Sequence, residues 1–272
     1  MIETALDRVL RRDRVVVTAA LILLASTAWA YTVWLADSMR MGGMDMTGYR
    51  MIPGLDLMVP AIEPWGVVEA GFVFIMWTVM MIGMMTPSAA PMILLYARVG
   101  RQAAAQDKPF VPTAWFAAGY LLAWTGFALA ATIAQWALDR AALLTPMMQS
   151  ASHIFGGIIL IAAGLYQWSP LKDVCLGHCQ APWQFIQNHG GFRGDAAGSF
   201  ALGIRHGAYC VGCCWTLMAL LFVGGVMNVL WIAAIAVFVL IEKVVPAGRL
   251  ISRVAGACFL LAGLWLLATR PA

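Results

Sequence analysis

Charged residues are scarce in this sequence. Asp, Glu, Lys and Arg make up only 11% of the 272 residues, whereas a soluble domain of this length carries about a quarter. Hydrophobic residues make up 62%, and the mean hydropathy is +0.82. This composition excludes an ordinary soluble domain and indicates an integral membrane protein.

The sequence also lacks several patterns that carry enzymatic chemistry. It contains no phosphate-binding glycine loop, no paired carboxylates at catalytic spacing and no Ser/His/Asp signature. These absences argue against an enzyme and against ATP-driven transport by this chain alone. The net charge of +4 reflects basic residues beside apolar runs and gives no indication of a nucleic-acid partner.

Apolar runs long enough to cross a lipid bilayer as helices dominate the chain. They predict an all-α fold, a polytopic membrane helix bundle with about seven transmembrane helices. The chain divides into an N-terminal basic flank and first helix (1–36), a Met-rich outer loop (37–65) and a six-helix metal-binding membrane domain (66–272) with a cytoplasmic loop at 169–203. Pro87 and Pro91 predict a kink or an end of the second helix. The runs lie at 15–36, 66–86, 113–135, 149–168, 206–226, 229–245 and 251–268.

The positions of the basic residues predict the orientation. If the N-terminus is cytoplasmic, all but four of the 17 Lys and Arg residues lie on the inner side; the exceptions are Arg40, Arg50, Arg140 and Arg270. The positive-inside rule therefore predicts this orientation, in a bacterial inner membrane. The first run also fits a cleaved signal peptide, although its apolar stretch continues to Leu35 and favours a retained helix.

Sulfur-containing side chains separate by type between the two sides of this topology. Thioethers gather toward the outside, in the outer loop (Met39, Met41, Met44, Met46) and on the second helix (Met76, Met80, Met81, Met84, Met85). Thiols gather at the inside, in the motif CLGHC (Cys175, His178, Cys179) and on the fifth helix (His206, Cys210, Cys213, Cys214, with Met218 further along). Spacings of three, four, seven and eight residues place such side chains on one helical face.

This distribution predicts a path for a soft metal ion. Thioether and thiolate ligands select Cu(I) over hard cations, and methionine keeps its ligand form in an oxidising periplasm, where paired thiols form disulfides. The ligands become stronger toward the cytoplasm, so the sequence predicts that Cu(I) moves from outer Met ligands to inner Cys and His ligands. A cytoplasmic metallochaperone is then the expected acceptor.

Several alternatives remain open at this point. Methionine stripes commonly serve packing, and cysteines also act as small buried hydrophobes. The chain could bind metal as a sensor or assembly partner without net flux, or act as a membrane thiol-disulfide oxidoreductase. Hg or Zn could replace copper, and the oligomeric state is open. Glu242 and Lys243 are interpreted as an interfacial pair or as side chains that reach the head groups.

Three blocks carry a family resemblance. They are WTVMMIGMMTPSAAP (77–91), LKDVCLGHCQAPWQF (171–185) and GIRHGAYCVGCCWTLMALLFVGGVMN (203–228). Together they resemble a bacterial family of predicted metal-binding, multi-pass integral membrane proteins. The resemblance implies metal binding, with neither transport nor direction. The chain departs from that family at Gln180 and Ala181, where a basic residue and Ser are usual.

Overall fold

The structure is a computed structural model that describes residues 5–40, 49–54, 58–60, 63–106, 111–145, 148–192 and 194–269. The first half of the chain forms helices α1 (Ala5–Arg40), α2 (Val67–Ala104) and α3 (Thr113–Arg140), with strands β1 (Tyr49–Met51) and β2 (Met58–Pro60) between α1 and α2. The second half forms α4 (His153–Gln167), α5 (Pro170–Gln180), α6 (Pro182–Asn188), α7 (Ala196–Ala219), α8 (Leu221–Gly224), α9 (Val229–Val244) and α10 (Gly248–Ala268).

The predicted helical architecture, with several helices of membrane-spanning length and hydropathy, is confirmed. Among the described residues, five helical segments are long and apolar enough to cross a membrane: Val15–Met39, Val67–Ala103, Thr113–Arg140, Ala196–Gly224 and Gly248–Ala268. The pair α4 and α5, bent by 65°, forms a sixth if it is one broken span. Helix α9 has 16 residues and rises about 24 Å, less than the roughly 30 Å of a hydrocarbon core. The number of seven spans stays a prediction.

The region predicted as an outer loop differs from the expectation at both ends. Helix α1 continues to Arg40, because Leu35, Ala36 and Met39 on its last turns pack into the core. The assignment of Met39 to the loop was therefore wrong. Strands β1 and β2 pair antiparallel in a small hairpin, with Arg50 opposite Val59. Met41, Met44 and Met46 lie outside the described residues.

Helix α2 passes through both of its prolines and does not end at the predicted position near 86. Pro87 has no N–H group to donate to the carbonyl of Gly83, one turn earlier. The indole Nε1 of Trp29, on α1, donates to that carbonyl at 3.1 Å. An exposed backbone carbonyl is costly in an apolar bundle, so this hydrogen bond stabilises the continuous helix and joins α1 to α2.

Glycines allow two helix pairs to approach backbone to backbone. A Cβ atom added at Gly119 of α3 would lie 2.1 Å from the carbonyl oxygen of Phe200 on α7, and one added at Gly203 would lie 2.1 Å from that of Phe116. Gly207 meets Tyr120 and Ala123 one turn further along both helices, so α3 and α7 run parallel. Small residues of this kind are the usual means of close helix packing in membranes.

Glycines also bring α4 and α10 into close backbone contact, but these two helices run in opposite directions. Gly157 meets Gly263 and Gly164 meets Gly256, so the residue numbers rise on one helix as they fall on the other. Helices α4 and α10 are therefore antiparallel. Their close contact positions the start of α5, which follows α4 directly.

A buried ion pair holds α5 in place. Lys172 Nζ lies 2.9 Å and 3.0 Å from the two carboxylate oxygens of Glu242 on α9. Gln167 Nε2 donates to the same carboxylate at 3.3 Å, and Ser252 Oγ of α10 donates at 2.6 Å. The interpretation of Glu242 and Lys243 as an interfacial pair was wrong, because Glu242 pairs with Lys172 in the interior.

The segment predicted as a cytoplasmic loop at 169–203 is largely helical. It contains α5, α6 and the first turns of α7, which begins at Ala196 rather than at 206. Asp195 caps this helix, and its carboxylate accepts a hydrogen bond from the backbone N–H of Gly198 at 2.6 Å. The CLGHC motif therefore lies on a helix, whose position against α7 decides which cysteines meet.

Candidate metal centre

The buried face of α7 carries the predicted Cys and His cluster. His206, Cys210, Cys213 and Cys214 are all buried, as their spacing on one helical face predicts. Helix α5 packs against this face. It brings Cys179 Sγ to 4.0 Å from Cys213 Sγ. The second cysteine of CLGHC thus joins the α7 cluster across a long separation in the sequence.

A cavity of about 170 Å³ lies at this junction. Four side chains that can ligate a soft or borderline metal ion line it, from three different helices: Met92 of α2, Cys179 of α5, and His206 and Cys210 of α7. Thiolate, thioether and imidazole are the ligands that suit copper. The cavity is therefore the candidate metal centre of the chain.

One ring nitrogen in this centre lacks a hydrogen-bond partner. His206 Nδ1 is buried and forms no hydrogen bond within the described structure. Its ring lies among aromatic side chains, 5.2 Å from Phe185 and 5.7 Å from Tyr120 between ring centroids. Buried polar atoms are rarely left unpaired without a functional reason. A metal ion in the cavity would supply the missing partner.

Cys210 has the most polar surroundings of the cavity thiols. Lys243 Nζ lies 2.9 Å from its sulfur, and the hydroxyl oxygen of Tyr120 lies 3.1 Å from it. The Tyr120 hydroxyl is also within 3.3 Å of the backbone carbonyl of Met85. A thiolate at Cys210 can accept hydrogen bonds from both the ammonium and the hydroxyl group, which stabilises the form that binds metal.

The remaining predicted ligands on α7 do not line the cavity. The thiols of Cys213 and Cys214 donate to the carbonyl of Cys210, at 3.1 Å and 2.9 Å, and neither is among the residues that line the cavity. Met218 is buried in the hydrophobic core. Within the described part of the chain, no group of three or more His, Cys, Asp or Glu side chains is arranged to hold a metal ion. Binding of an ion by three or more of these side chains therefore requires them to move.

Cys175 and His178 face different surroundings. Cys175 lies against Gly212, where an added Cβ would be 2.9 Å from its sulfur, and it lines a separate surface pocket with His189 and Tyr209. His178 Nδ1 lies 2.8 Å from the carbonyl of Val174, and its ring stacks on Tyr209 at 4.2 Å. The structure does not bring these two residues to the cavity, and their ligand role stays a prediction.

The predicted methionine stripe of α2 is buried in the core and ends seven residues before Met92, which lines the cavity. Met76, Met80, Met81, Met84 and Met85 are all buried. Near the start of this stripe, Trp77 Nε1 donates to Gln135 Oε1 at 2.6 Å; at its end, the Met85 carbonyl lies beside Tyr120. The stripe rises about 13 Å along the helix. Its burial also agrees with simple packing, so the predicted relay stays a prediction.

Three residues of the candidate metal centre were not predicted as site residues from the sequence. Met92 follows Met85 by seven residues and therefore continues one helical face, a signal that could have identified it. Tyr120 and Lys243 are 90 and 33 residues away from Cys210 in the sequence, and no local pattern connects them to it. Only the packing of α3 and α9 around α7 brings them there.

The helical bundle and the soft-donor cavity together define a membrane-type helical protein with a candidate site for a soft metal ion. The model of the PpoB2 copper chaperone family matches residues 74–266, and the chain belongs to this family. The match includes every residue that lines the cavity and excludes α1 and the 37–65 segment. The expectation of a metal-related family is confirmed, and the description of the family names copper. Comparison with curated proteins and with solved structures found no match.

Proposed function

We propose that the chain binds Cu(I) in the α2/α5/α7 cavity and delivers it to an acceptor in the cytoplasm. Cys179 and Cys210 provide the thiolates, and Met92 and His206 provide neutral ligands. The observation that supports this proposal most is the convergence of these four side chains on one cavity, with the His206 Nδ1 atom left unpaired. Cu(I) accepts low coordination numbers, so a site with only two thiolates suits it.

The proposed route begins at the outer face of a bacterial inner membrane. Methionines of the 37–65 segment (Met41, Met44, Met46) capture the ion, and Met39 lies at the entry to the bundle. The stripe on α2 (Met76, Met80, Met81, Met84, Met85) relays it to Met92 and the cavity. Cys213, Cys214 and Met218 support the receiving cluster, and Cys175 and His178 lie between it and a cytoplasmic metallochaperone.

The chemistry of sulfur gives this route its direction. Thioethers are neutral and release a monovalent ion readily, whereas a thiolate adds a charge and holds the ion more strongly. Each site along a conducting path must bind well enough for entry and weakly enough for exit. An ion that meets thioethers first and thiolates last moves toward stronger ligands. The chain acts in this proposal as a carrier rather than as an enzyme.

The proposed topology has seven spans with a cytoplasmic N-terminus. Helices α1, α2, α3, α4, α7, α9 and α10 then cross in alternating directions. The parallel packing of α3 with α7 and the antiparallel packing of α4 with α10 agree with this alternation. The distribution of basic residues supports the orientation.

Uptake of isotopically labelled copper into proteoliposomes, under reducing conditions, tests the proposal. We expect a Cys179→Ser/Cys210→Ser variant to lose uptake and bound copper. Cys258→Ser is the matched control, because Cys258 is exposed on α10 and is not among the residues that line the cavity. Equal uptake by the wild type and the double variant would refute the proposed role of the cavity thiols.

A second candidate function is copper binding and transfer to a partner without net flux, which the description of the family favours. It predicts stoichiometric copper in the purified protein, loss of that copper in the double variant, and no uptake into vesicles. A third candidate is thiol-disulfide exchange, which the 4.0 Å distance between Cys179 Sγ and Cys213 Sγ favours. It predicts a dithiol/disulfide couple that titrates near glutathione potentials without any metal.

A further inference from the structure

Lys243 is a buried cation inside the candidate metal centre. Its side chain lines the cavity together with Cys179, His206 and Cys210. The ammonium group lies 2.9 Å from Cys210 Sγ and 3.2 Å from Ser88 Oγ. A cation beside metal ligands is unexpected, because it repels the ion that the ligands would bind.

No carboxylate of the described residues pairs with this charge. Glu242 precedes Lys243 directly, but both of its oxygens accept hydrogen bonds from Lys172, and its polar partners further include Gln167 and Ser252. Among the residues that the structure describes, Lys243 forms no ion pair with an acidic side chain. A buried charge requires a nearby opposite charge. The sulfur of Cys210 is the contacting group that can carry one.

We propose that Lys243 determines which ionic charge the cavity accepts, and that it favours soft monovalent ions over divalent ions. This inference rests on the proposed function, since it takes Cys179 and Cys210 as the thiolate ligands. It assigns the substrate class by charge, in addition to the softness that the sulfur ligands impose.

Counting the formal charges of the occupied site gives the reason. A bound metal requires deprotonated thiols, so Cys179 and Cys210 contribute two negative charges. Lys243 and Cu(I) contribute one positive charge each, and the occupied cavity is neutral. Met92 and His206 are neutral ligands and do not alter the sum. With Zn(II) or Hg(II) in place of Cu(I), one positive charge is left uncompensated in a buried site, which is strongly unfavourable.

The neighbouring charges do not change this count. The Lys172–Glu242 pair is neutral as a unit, and neither residue is among those that line the cavity. The Ser88 hydroxyl offers Lys243 a neutral acceptor within the same cavity. The ammonium can therefore move away from Cys210 toward Ser88 when an ion binds, and it still remains in the site as a fixed positive charge.

The test compares Ag(I), a stable soft monovalent probe, with Zn(II). The affinities of purified wild-type protein and of Lys243→Met and Lys243→Arg variants are measured by competition with chelators of known affinity. A charge at this distance changes such equilibria by about one to three powers of ten. We therefore expect Lys243→Met to lower the Ag(I)/Zn(II) affinity ratio by about tenfold or more, whereas Lys243→Arg keeps it near the wild-type value.

Three results would overturn the inference. They are a wild type that prefers Zn(II), a Lys243→Met variant with an unchanged ratio, and a Lys243→Arg variant that behaves like Lys243→Met. Should Lys243→Met fold poorly, Lys243→Gln removes the same charge and retains a polar group for Ser88. If the wild type binds neither probe, the proposed function itself fails. If it binds Ag(I) through Cys179 and Cys210 and the ratio is insensitive to residue 243, only this inference fails.

Discussion

The contact between α3 and α7 predicts a strong effect from one added methyl group. In Gly119→Ala, the new Cβ atom would lie 2.1 Å from the carbonyl oxygen of Phe200, whereas ordinary contact begins near 3.4 Å. The two helices must therefore separate by about 1.3 Å at this level. The atoms of α7 that the new Cβ meets are backbone atoms, so no side-chain rotation can relieve the clash. Overpacking of this kind costs about 1–3 kcal/mol.

The same separation reaches the candidate metal centre, because Tyr120 follows Gly119 directly. Its hydroxyl group lies 3.1 Å from Cys210 Sγ on α7, and a shift of about 1 Å takes this contact beyond hydrogen-bond range. We expect Gly119→Ala to lower both the stability of the protein and its affinity for Cu(I). A loss of about 2 kcal/mol corresponds to a decrease of roughly 5 °C in the thermal unfolding midpoint.

Gly126→Ala is the matched control, since a Cβ at Gly126 of the same helix meets no atom within 4 Å. Alanine is the better helix former, so this variant should be neutral or more stable by about 0.5–1 kcal/mol. Tryptophan fluorescence during heating in detergent measures both variants, and chelator competition measures Cu(I) affinity. Equal unfolding midpoints for the two variants would refute the close backbone contact of α3 and α7.

Three further predictions concern other parts of the bundle. Glu242→Leu leaves the buried Lys172 ammonium without its carboxylate, and we expect a destabilisation of about 3–5 kcal/mol. The additional change Lys172→Met should largely reverse this loss. The unfolding midpoints of both variants measure the effect, and a double variant as unstable as the single one would contradict the ion pair. Trp29→Phe removes the donor to the Gly83 carbonyl and should lower the free energy of unfolding by about 1 kcal/mol, measured in the same assay. An unchanged unfolding midpoint would show that this carbonyl has another hydrogen-bond donor. Met92→Leu retains the packing volume, so we expect an unchanged midpoint with weaker Cu(I) binding in chelator competition, and unaltered affinity would exclude the thioether as a ligand.

Local patterns predicted the parts of this molecule that depend on neighbouring residues. Hydropathy identified the long helices, because a run of apolar side chains needs no information from elsewhere in the chain. The spacing of His206, Cys210 and Cys213 predicted their common face on α7 for the same reason. The continuation of α1 to Met39 was missed, since its polar last turn is stabilised by packing against the core rather than by its own composition.

Long-range contacts account for what the sequence could not predict. The approach of Cys179 to Cys213 depends on the bend between α4 and α5, and on the ion pair that holds α5 against α9. No spacing rule relates Lys243 or Tyr120 to Cys210, because these residues lie on three different helices. The sequence analysis therefore named two of the three sulfur side chains that line the cavity, Cys179 and Cys210, and it missed the groups that set the charge and the hydrogen bonding around them.

Two consecutive charged residues on α9 have separate roles in assembling the centre. Successive side chains on a helix point about 100° apart, so Glu242 and Lys243 face different neighbours. Glu242 binds Lys172 and thereby holds α5, which carries Cys179, against the bundle. Lys243 extends into the cavity and contacts Cys210 on α7. Because the helix fixes the angle between these two side chains, the position of α5 and the charge of the candidate metal centre are set by the same turn of α9. A rotation of that turn would disturb both together.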